Sequence, residues 1–236
     1  MAALDVDALL GKPKNRVARV GVELEGGWTK LPEGAHLEHD GSVYRGMRAA
    51  GIQYGEIQLG PMLPAQLPAA MRKYYPDHVN ASCGLHLHMG FETVLHYSIL
   101  MVPEYQDTII EYVRRWAEKE GIDKKHGLWH RLSGKSEFCQ HKFWPDEQAR
   151  ARRDHDQNRH GHRYTVINYC YTAHGTIECR LLQMFKDVEQ SIRALRLVID
   201  VTNACLLKLM PNIKETHKGK VEFSDTKYEE YVEEVL

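Results

Sequence analysis

The sequence lacks several features that would assign a protein to a functional class at once. It has 31 Lys and Arg residues against 32 Asp and Glu, so its net charge of -1 gives no overall basic field that would favour nucleic acid. It contains no GxGxxG dinucleotide motif. Six residues instead of four separate Gly127 from Gly134, so the Gly134-Lys135-Ser136 triplet does not form a P-loop.

Paired cysteines and long apolar runs are also missing. The N-terminus shows no basic region followed by an apolar run, and no apolar run approaches membrane-spanning length. The scattered cysteines form no CxxC pair, which favours reduced thiols over a disulfide framework. We therefore expect a cytoplasmic protein without a membrane partner. The five cysteines are Cys83, Cys139, Cys170, Cys179 and Cys205.

The length and composition are those of a globular protein with a sizeable core. The 236 residues are 43% hydrophobic, which most simply predicts one domain over residues 1–236. Within it we expect a polar insertion at about 123–162 and a charged tail at about 211–236. The 14 histidines weakly favour metal or proton chemistry.

The most informative pattern lies at residues 82–91, where two histidines alternate with apolar residues. Leu87 separates His86 from His88, and Leu85 and Met89 flank the pair. This period of two is typical of a strand with both imidazoles on one face. The rings could converge on one ligand, although the same pattern also occurs on sheets without a function.

Three further segments with a period of two carry charged side chains on one face. Their polar pairs are Glu23 with Glu25, Glu56 with Gln58, and Glu178 with Arg180. The last segment forms a predicted hairpin with residues 163–169. Apolar spacing predicts helices over 64–75, 93–120 and 187–210, and Pro103 is expected to start or kink a helix within the second of these segments. If helices cover one face of an antiparallel sheet, the polar side chains of the other face line a cleft.

Several carboxylates on one face repel each other unless cations neutralise them. Carboxylate oxygens with one imidazole suit Mg²⁺ or Mn²⁺ better than Zn²⁺, and neighbouring arginines favour a phosphate or carboxylate ligand. These are the parts of a phosphoryl-transfer site. Two alternatives stay open: a zinc or iron hydrolase or oxygenase that uses His86 and His88, and a non-catalytic anion or nucleic-acid binding protein that uses the basic segment 148–163.

Six short motifs follow one another between about residues 17 and 200. They are Gly21-Val22-Glu23-Leu24-Glu25, Asp40-Gly41-Ser42, Gly55-Glu56-Ile57 with Pro61, Cys83-Gly84-Leu85-His86-Leu87-His88, Arg163-Tyr164 with Asn168, and Thr176-Ile177-Glu178-Cys179-Arg180. This ordered set resembles the amidoligase family, a group of carboxylate–amine ligases related to glutamine synthetase and γ-glutamylcysteine synthetase.

The resemblance implies an α+β fold, with a curved, mainly antiparallel sheet that forms a glutamine synthetase-like half-barrel funnel and helices on the convex face. It implies that ATP phosphorylates a carboxylate and that an amine attacks the acyl phosphate, with two or more Mg²⁺ or Mn²⁺ ions as cofactors. The two substrates could be small molecules, peptides, proteins or modified nucleobases. Short family members often belong to bacterial or phage modification systems.

The resemblance also implies metal ligands. One ion would lie at the ATP phosphates, and a second would lie near the acceptor carboxylate. The implied ligands are Glu23, His86 and Glu178 for the first ion, and Glu25 and Glu56 for the second.

Further roles follow from the same resemblance. Arg180 would stabilise the transferring phosphoryl group, and Arg163 would be a second anion clamp. Asp40 would orient or deprotonate the amine, although an Asp-Gly-Ser sequence is equally typical of a turn. The implied ATP contacts are His88, Arg131, Asn168 and Arg180.

Overall fold

The computed structural model describes residues 2–11, 16–40, 43, 51–145, 163–210, 213–215 and 221–223. Most of the basic segment 148–163, the Gly41-Ser42 part of the predicted turn and most of the charged tail lie outside these residues. The described part is a mixed α+β structure with an open, six-stranded antiparallel sheet.

The sheet has the strand order β2-β3-β1-β4-β6-β5, and every neighbouring pair is antiparallel. The central strands β1 and β4 are the Glu-x-Glu and His-x-His segments. A separate two-stranded sheet joins β7 and β8. The strands are β1 (Val17–Trp28), β2 (Leu37–Glu38), β3 (Gln53–Met62), β4 (Leu85–Phe91), β5 (Ile167–Cys170), β6 (Thr176–Cys179), β7 (Ile213–Glu215) and β8 (Val221–Phe223).

The three helical predictions are confirmed, although the segment 93–120 forms two helices that are separated by residues 100–102. Pro103 starts α3, and the side chain of Asp187 accepts a hydrogen bond from the Glu189 amide at the start of α6. Short 3₁₀ turns cover Asp7–Leu9 and Pro64–Gln66. The α-helices are α1 (Leu67–Tyr74), α2 (Val94–Ile99), α3 (Pro103–Lys119), α4 (Leu128–Leu132), α5 (Tyr171–His174) and α6 (Val188–Leu209).

One predicted strand is shorter than expected. The strand predicted over 163–169 begins only at Ile167, because the preceding backbone pairs with a different segment. The Gln140 amide donates to the Tyr164 carbonyl, and the Val166 amide donates to the Gln140 carbonyl. This parallel bridge draws residues 136–141 against the start of β5.

The alternation of the strands separates an apolar face from a polar face. Val20, Val22 and Leu24 of β1 are almost fully buried, as are Leu85 and Leu87 of β4. They belong to one core with the buried residues of α3 and α6, which also pack on each other. The acidic and histidine side chains of the same strands therefore lie on the opposite face.

All five cysteines are buried free thiols. Among the described residues, no helix combines the length and apolar character that a membrane span needs.

Candidate functional site

The register of the sheet brings the polar motifs of distant segments into one area. Glu23 lies between Gln58 on β3 and His86 on β4, and Glu178 lies between His88 on β4 and Asn168 on β5. The other relevant pairs are Glu25–Glu56 and Glu38–Glu56. Glu23, His86 and Glu178 lie close together, with Nδ1 of His86 2.7 Å from Glu23 and 3.7 Å from Glu178, and their role as one set of metal ligands stays a prediction.

A first group of side chains consists of Glu23, His88 and Glu178. One ligand atom from each lies within 4.8 Å of the others. Nε2 of His88 is 3.0 Å from Oε1 of Glu23, while Nδ1 of His88 is 3.0 Å from the hydroxyl of Thr176. Thr176 thus fixes the orientation of the imidazole, as an outer partner of a metal-ligating histidine does.

Glu178 is held in place from two sides. The side-chain amide of Asn168 donates a 2.6 Å hydrogen bond to Oε2, and Arg180 forms an ion pair with Oε1. Burial alone would raise the pKa of Glu178, but the charges of Arg180, His88 and His86 together outweigh it, so the pKa lies below its ordinary value. The carboxylate is therefore ionised and oriented.

A second group consists of Glu25, Asp40 and Glu56, again with one oxygen from each within 4.8 Å of the others. The Gly84 amide donates a 2.6 Å hydrogen bond to Oε2 of Glu25. The Gln58 side chain donates to Oε1 of Glu56 at 2.9 Å. Asp40, which the sequence analysis assigned to the amine, thus lies with the two acids assigned to the second metal.

The second group carries strong repulsion between like charges. Burial and the negative charges of Glu23, Glu25 and Asp40 raise the pKa of Glu56 to about 8, although Gln58 opposes this change. A divalent cation among these oxygens would remove that repulsion. The donor set itself consists of oxygen atoms only, which fits Mg²⁺ or Mn²⁺.

His86 lies between the two groups and belongs to neither. Its Nδ1 is 2.7 Å from Oε2 of Glu23 and 3.7 Å from Oε1 of Glu178, and its Nε2 is 3.7 Å from Oε1 of Glu25. Burial would raise the pKa of Glu23, but its hydrogen bonds to His86 and His88 hold the pKa well below its ordinary value. His86 is therefore close to both groups, and its role as a metal ligand stays a prediction.

Arg131 occupies a buried position behind the second group. Its Nη1 donates a 2.6 Å hydrogen bond to the carbonyl of Arg180, and its own carbonyl lies 2.9 Å from Nε2 of His141. Burial lowers the pKa of Arg131. These contacts fix the backbone of Arg180, whereas a contact with ATP stays a prediction.

Arg163 and Arg180 both lie against the ring of Tyr164. The Arg163 guanidinium lies 4.7 Å from the centroid of the Tyr164 ring, and its Nη2 donates to the Tyr164 hydroxyl at 2.8 Å. Arg180 lies 5.6 Å from the same centroid. The two predicted anion-binding arginines therefore share one aromatic ring.

Sequence reasoning missed some residues that shape the site. Thr176 could have been found, because it precedes Glu178 by two positions and so shares its face. The hydrogen bond from the Gly84 amide to Glu25 could not be predicted, because it depends on how β1 packs against the start of β4.

Comparisons with protein-family models, curated proteins and solved structures find no match for this chain.

Proposed function

We propose that this protein is an ATP-dependent ligase that joins a carboxylate to an amine through an acyl phosphate. The observation that carries the proposal is the pair of neighbouring groups, Glu23–His88–Glu178 and Glu25–Asp40–Glu56, on one polar sheet face. Five carboxylates and one imidazole form a donor set for two hard divalent cations. In this proposal the sheet is the curved half-barrel of a glutamine synthetase-like funnel, and the polar face lines its cavity.

The reaction fits the charges of this site. The acceptor carboxylate attacks the γ-phosphorus of ATP, the bond from that phosphorus to ADP breaks, and an acyl phosphate forms. The amine then attacks the acyl carbon, loses a proton, and phosphate leaves. Mg²⁺ or Mn²⁺ ions at the two groups would neutralise the phosphate and carboxylate oxygens during these steps.

Protein side chains supply the remaining stabilisation. The Arg180 guanidinium beside Glu178 is placed to offset charge on the transferring phosphoryl group. Asn168 and Arg180 keep the Glu178 carboxylate oriented, and Arg131 holds the Arg180 backbone. Asp40 is the acidic side chain that we propose to orient the incoming amine at the second group.

One observation favours a different metalloenzyme. Glu23 contacts both His86 and His88, and two histidines with one carboxylate are typical of non-haem iron sites. Each three-residue group, however, contains one imidazole at most, since Nε2 of His86 faces Glu25. Zinc or iron that stays bound through dialysis against chelator would support this second candidate.

The decisive assay measures ADP release with Mg²⁺, ATP and a panel of carboxylate–amine pairs. We expect release that needs both the acid and the amine. Glu56→Gln and Glu178→Gln should lower turnover by about 100-fold or more, in line with the loss of a metal-site interaction. Glu111→Gln, on the outer surface of α3, should retain the wild-type rate. Equal rates for Glu56→Gln, Glu178→Gln and the wild type would overturn the proposal.

A further inference from the structure

Beyond the two groups, an exposed aromatic side chain lies at the β5 side of the site. Phe138 is 48% exposed, although most large apolar side chains of the described residues are buried. Its ring contacts Tyr164 edge to face, with centroids 5.6 Å apart and an interplanar angle of 87°. Phe138 therefore offers an open aromatic surface next to the ring that carries both arginines.

The backbone holds this aromatic pair in a fixed place. The bridge between Gln140 and Thr165 ties the Phe138 segment to the residues before β5. The neighbouring Cys139 is fully buried, and the His141 ring lies 2.9 Å from the Arg131 carbonyl. Phe138 is thus an exposed residue on an anchored segment.

Within the described ranges, both arginines on the Tyr164 ring have a hydrogen-bond donor without a partner. The Nε atoms of Arg163 and Arg180 are buried and have no hydrogen-bond partner among the described residues. Arg180 forms an ion pair with Glu178, but in the described part of the chain no carboxylate lies within 4.0 Å of Arg163. Two guanidiniums on one ring, of which only Arg180 pairs with a carboxylate among the described residues, attract an anion.

We propose that Phe138 and Tyr164 form the base-binding wall of the nucleotide site, with Arg163 at the adjoining phosphate. Aromatic side chains stack on any nucleobase, and the π-face needs no base-specific hydrogen bond. The open ring of Phe138 contacts Tyr164, Tyr164 contacts Arg180, and Arg180 pairs with Glu178. We assign this series of neighbours to a nucleotide, from its base at Phe138 to its terminal phosphate at Glu178. This inference rests on the proposed function.

The same geometry divides the site between the two substrates. The nucleotide enters from the β5–β6 side and directs its phosphates to Glu23, His88 and Glu178. The second group, on β1 and β3 with Asp40, is then left for the acceptor carboxylate and the amine. Phe138 determines nucleotide affinity, and it does not contact the acceptor.

The test is calorimetric titration of the full-length chain, in the presence of Mg²⁺, with ADP and with inorganic tripolyphosphate. Phe138→Leu should weaken ADP binding by about 10-fold, the effect of losing one base–aromatic stack, and leave tripolyphosphate binding unchanged. Phe138→Trp, which keeps an aromatic ring, should retain the ADP affinity of the wild type. Arg163→Gln should weaken both ligands. Leu63→Ala, which alters another exposed apolar side chain that is 47% exposed, should change neither.

The outcomes separate this inference from the proposed function. If the wild type binds ADP and Phe138→Leu binds it equally well, the base does not stack on Phe138, and the ligase proposal stands. The same conclusion follows if Phe138→Leu instead raises the apparent KM for the acceptor. If the wild type binds neither ADP nor tripolyphosphate, both the inference and the proposed function are wrong.

Discussion

At the residue scale, Glu56 shows that the candidate site concentrates negative charge, which a bound cation would neutralise. Its pKa of about 8 arises because a partly buried carboxyl group lies beside Glu25, Asp40 and Glu23. Such repulsion is relieved when a carboxylate binds a proton or when the group binds a cation. A bound divalent cation could also contact a substrate. The neighbouring Glu38 on β2 lies opposite Glu56 but belongs to neither three-residue group. This pair of residues allows a matched test.

We expect Mn²⁺ to stabilise the wild-type protein and Glu56→Gln to lose part of that effect. One ion at about 100 times its dissociation constant adds about 2.7 kcal/mol, which corresponds to a rise in Tm of roughly 5–10 °C for a chain of this size. Scanning calorimetry with and without Mn²⁺ measures the rise. Glu38→Gln should keep it in full, and a result in which both variants respond alike would place the second ion elsewhere.

Individual residues show which parts of the candidate site could be predicted from the sequence. The period of two placed Glu23, His86 and Glu178 on one face, because alternation depends only on local strand geometry. It could not distinguish His86 from His88 as the partner of Glu178, since that depends on the β4–β6 register and on Thr176. The position of Asp40 in the second group could not be predicted, because Asp40 lies between β2 and β3, where the sequence has no periodic pattern.

At the element scale, the start of β4 controls the distance between the two groups. A Cβ atom on Gly84 would lie 2.5 Å from Nε2 of His86 and 3.0 Å from Oε1 of Glu25. Both contacts involve the ends of side chains rather than the backbone. An added methyl group would therefore displace the two functional side chains and leave the strand pairing intact.

We predict that Gly84→Ala weakens Mn²⁺ binding by about 10-fold or more, as disturbance of a metal site commonly does, while the protein remains folded. Gly90→Ala on the same strand provides the control, because its added Cβ would meet ordinary contacts of 3.6 Å and longer. Calorimetric titration gives the affinity, and urea unfolding gives the stability. If Gly84→Ala lowers the free energy of unfolding but binds Mn²⁺ with the wild-type affinity, this explanation is wrong.

The connection between α3 and α4 adds a pH-sensitive contact at the same scale. The His126 ring stacks on Phe185, with centroids 4.7 Å apart, and its Nδ1 accepts a hydrogen bond from the Leu128 amide at 3.3 Å. Burial lowers the pKa of His126 from its ordinary value, so the folded protein favours the neutral ring. Protonation would also remove the acceptor.

Because the unfolded chain binds the proton more readily than the folded protein, the stabilisation from neutral His126 depends on pH. This contribution to the free energy of unfolding is fully present above about pH 7 and decreases as the pH falls below the ordinary histidine pKa of about 6.5. The decrease levels off below the lowered pKa of the folded state. Urea unfolding at pH 7.5 and pH 5.5 should show that the stability advantage of the wild type over His126→Gln shrinks at the lower pH. A constant advantage of the wild type over His126→Gln at the two pH values would refute the role of this contact.

At the scale of the whole molecule, the strand order gives the site its two sides. The order β2-β3-β1-β4-β6-β5 places Glu56 on β3 and Glu25 on β1 towards one edge and Glu178 on β6 towards the other, with β4 between them. The helix-covered antiparallel sheet could be predicted, because long alternating segments and helical stripes are strong local signals. The short strand β2 and the bridge from Gln140 to Thr165 could not, since only tertiary contacts define them.

The central claim is that the molecule holds two divalent ions on one sheet face. Anomalous diffraction from crystals grown with Mn²⁺ and ADP tests it most directly. The account predicts one manganese ion among Glu23, His88 and Glu178 and a second among Glu25, Asp40 and Glu56. A single ion held by both His86 and His88, or manganese bound away from these residues, would contradict it.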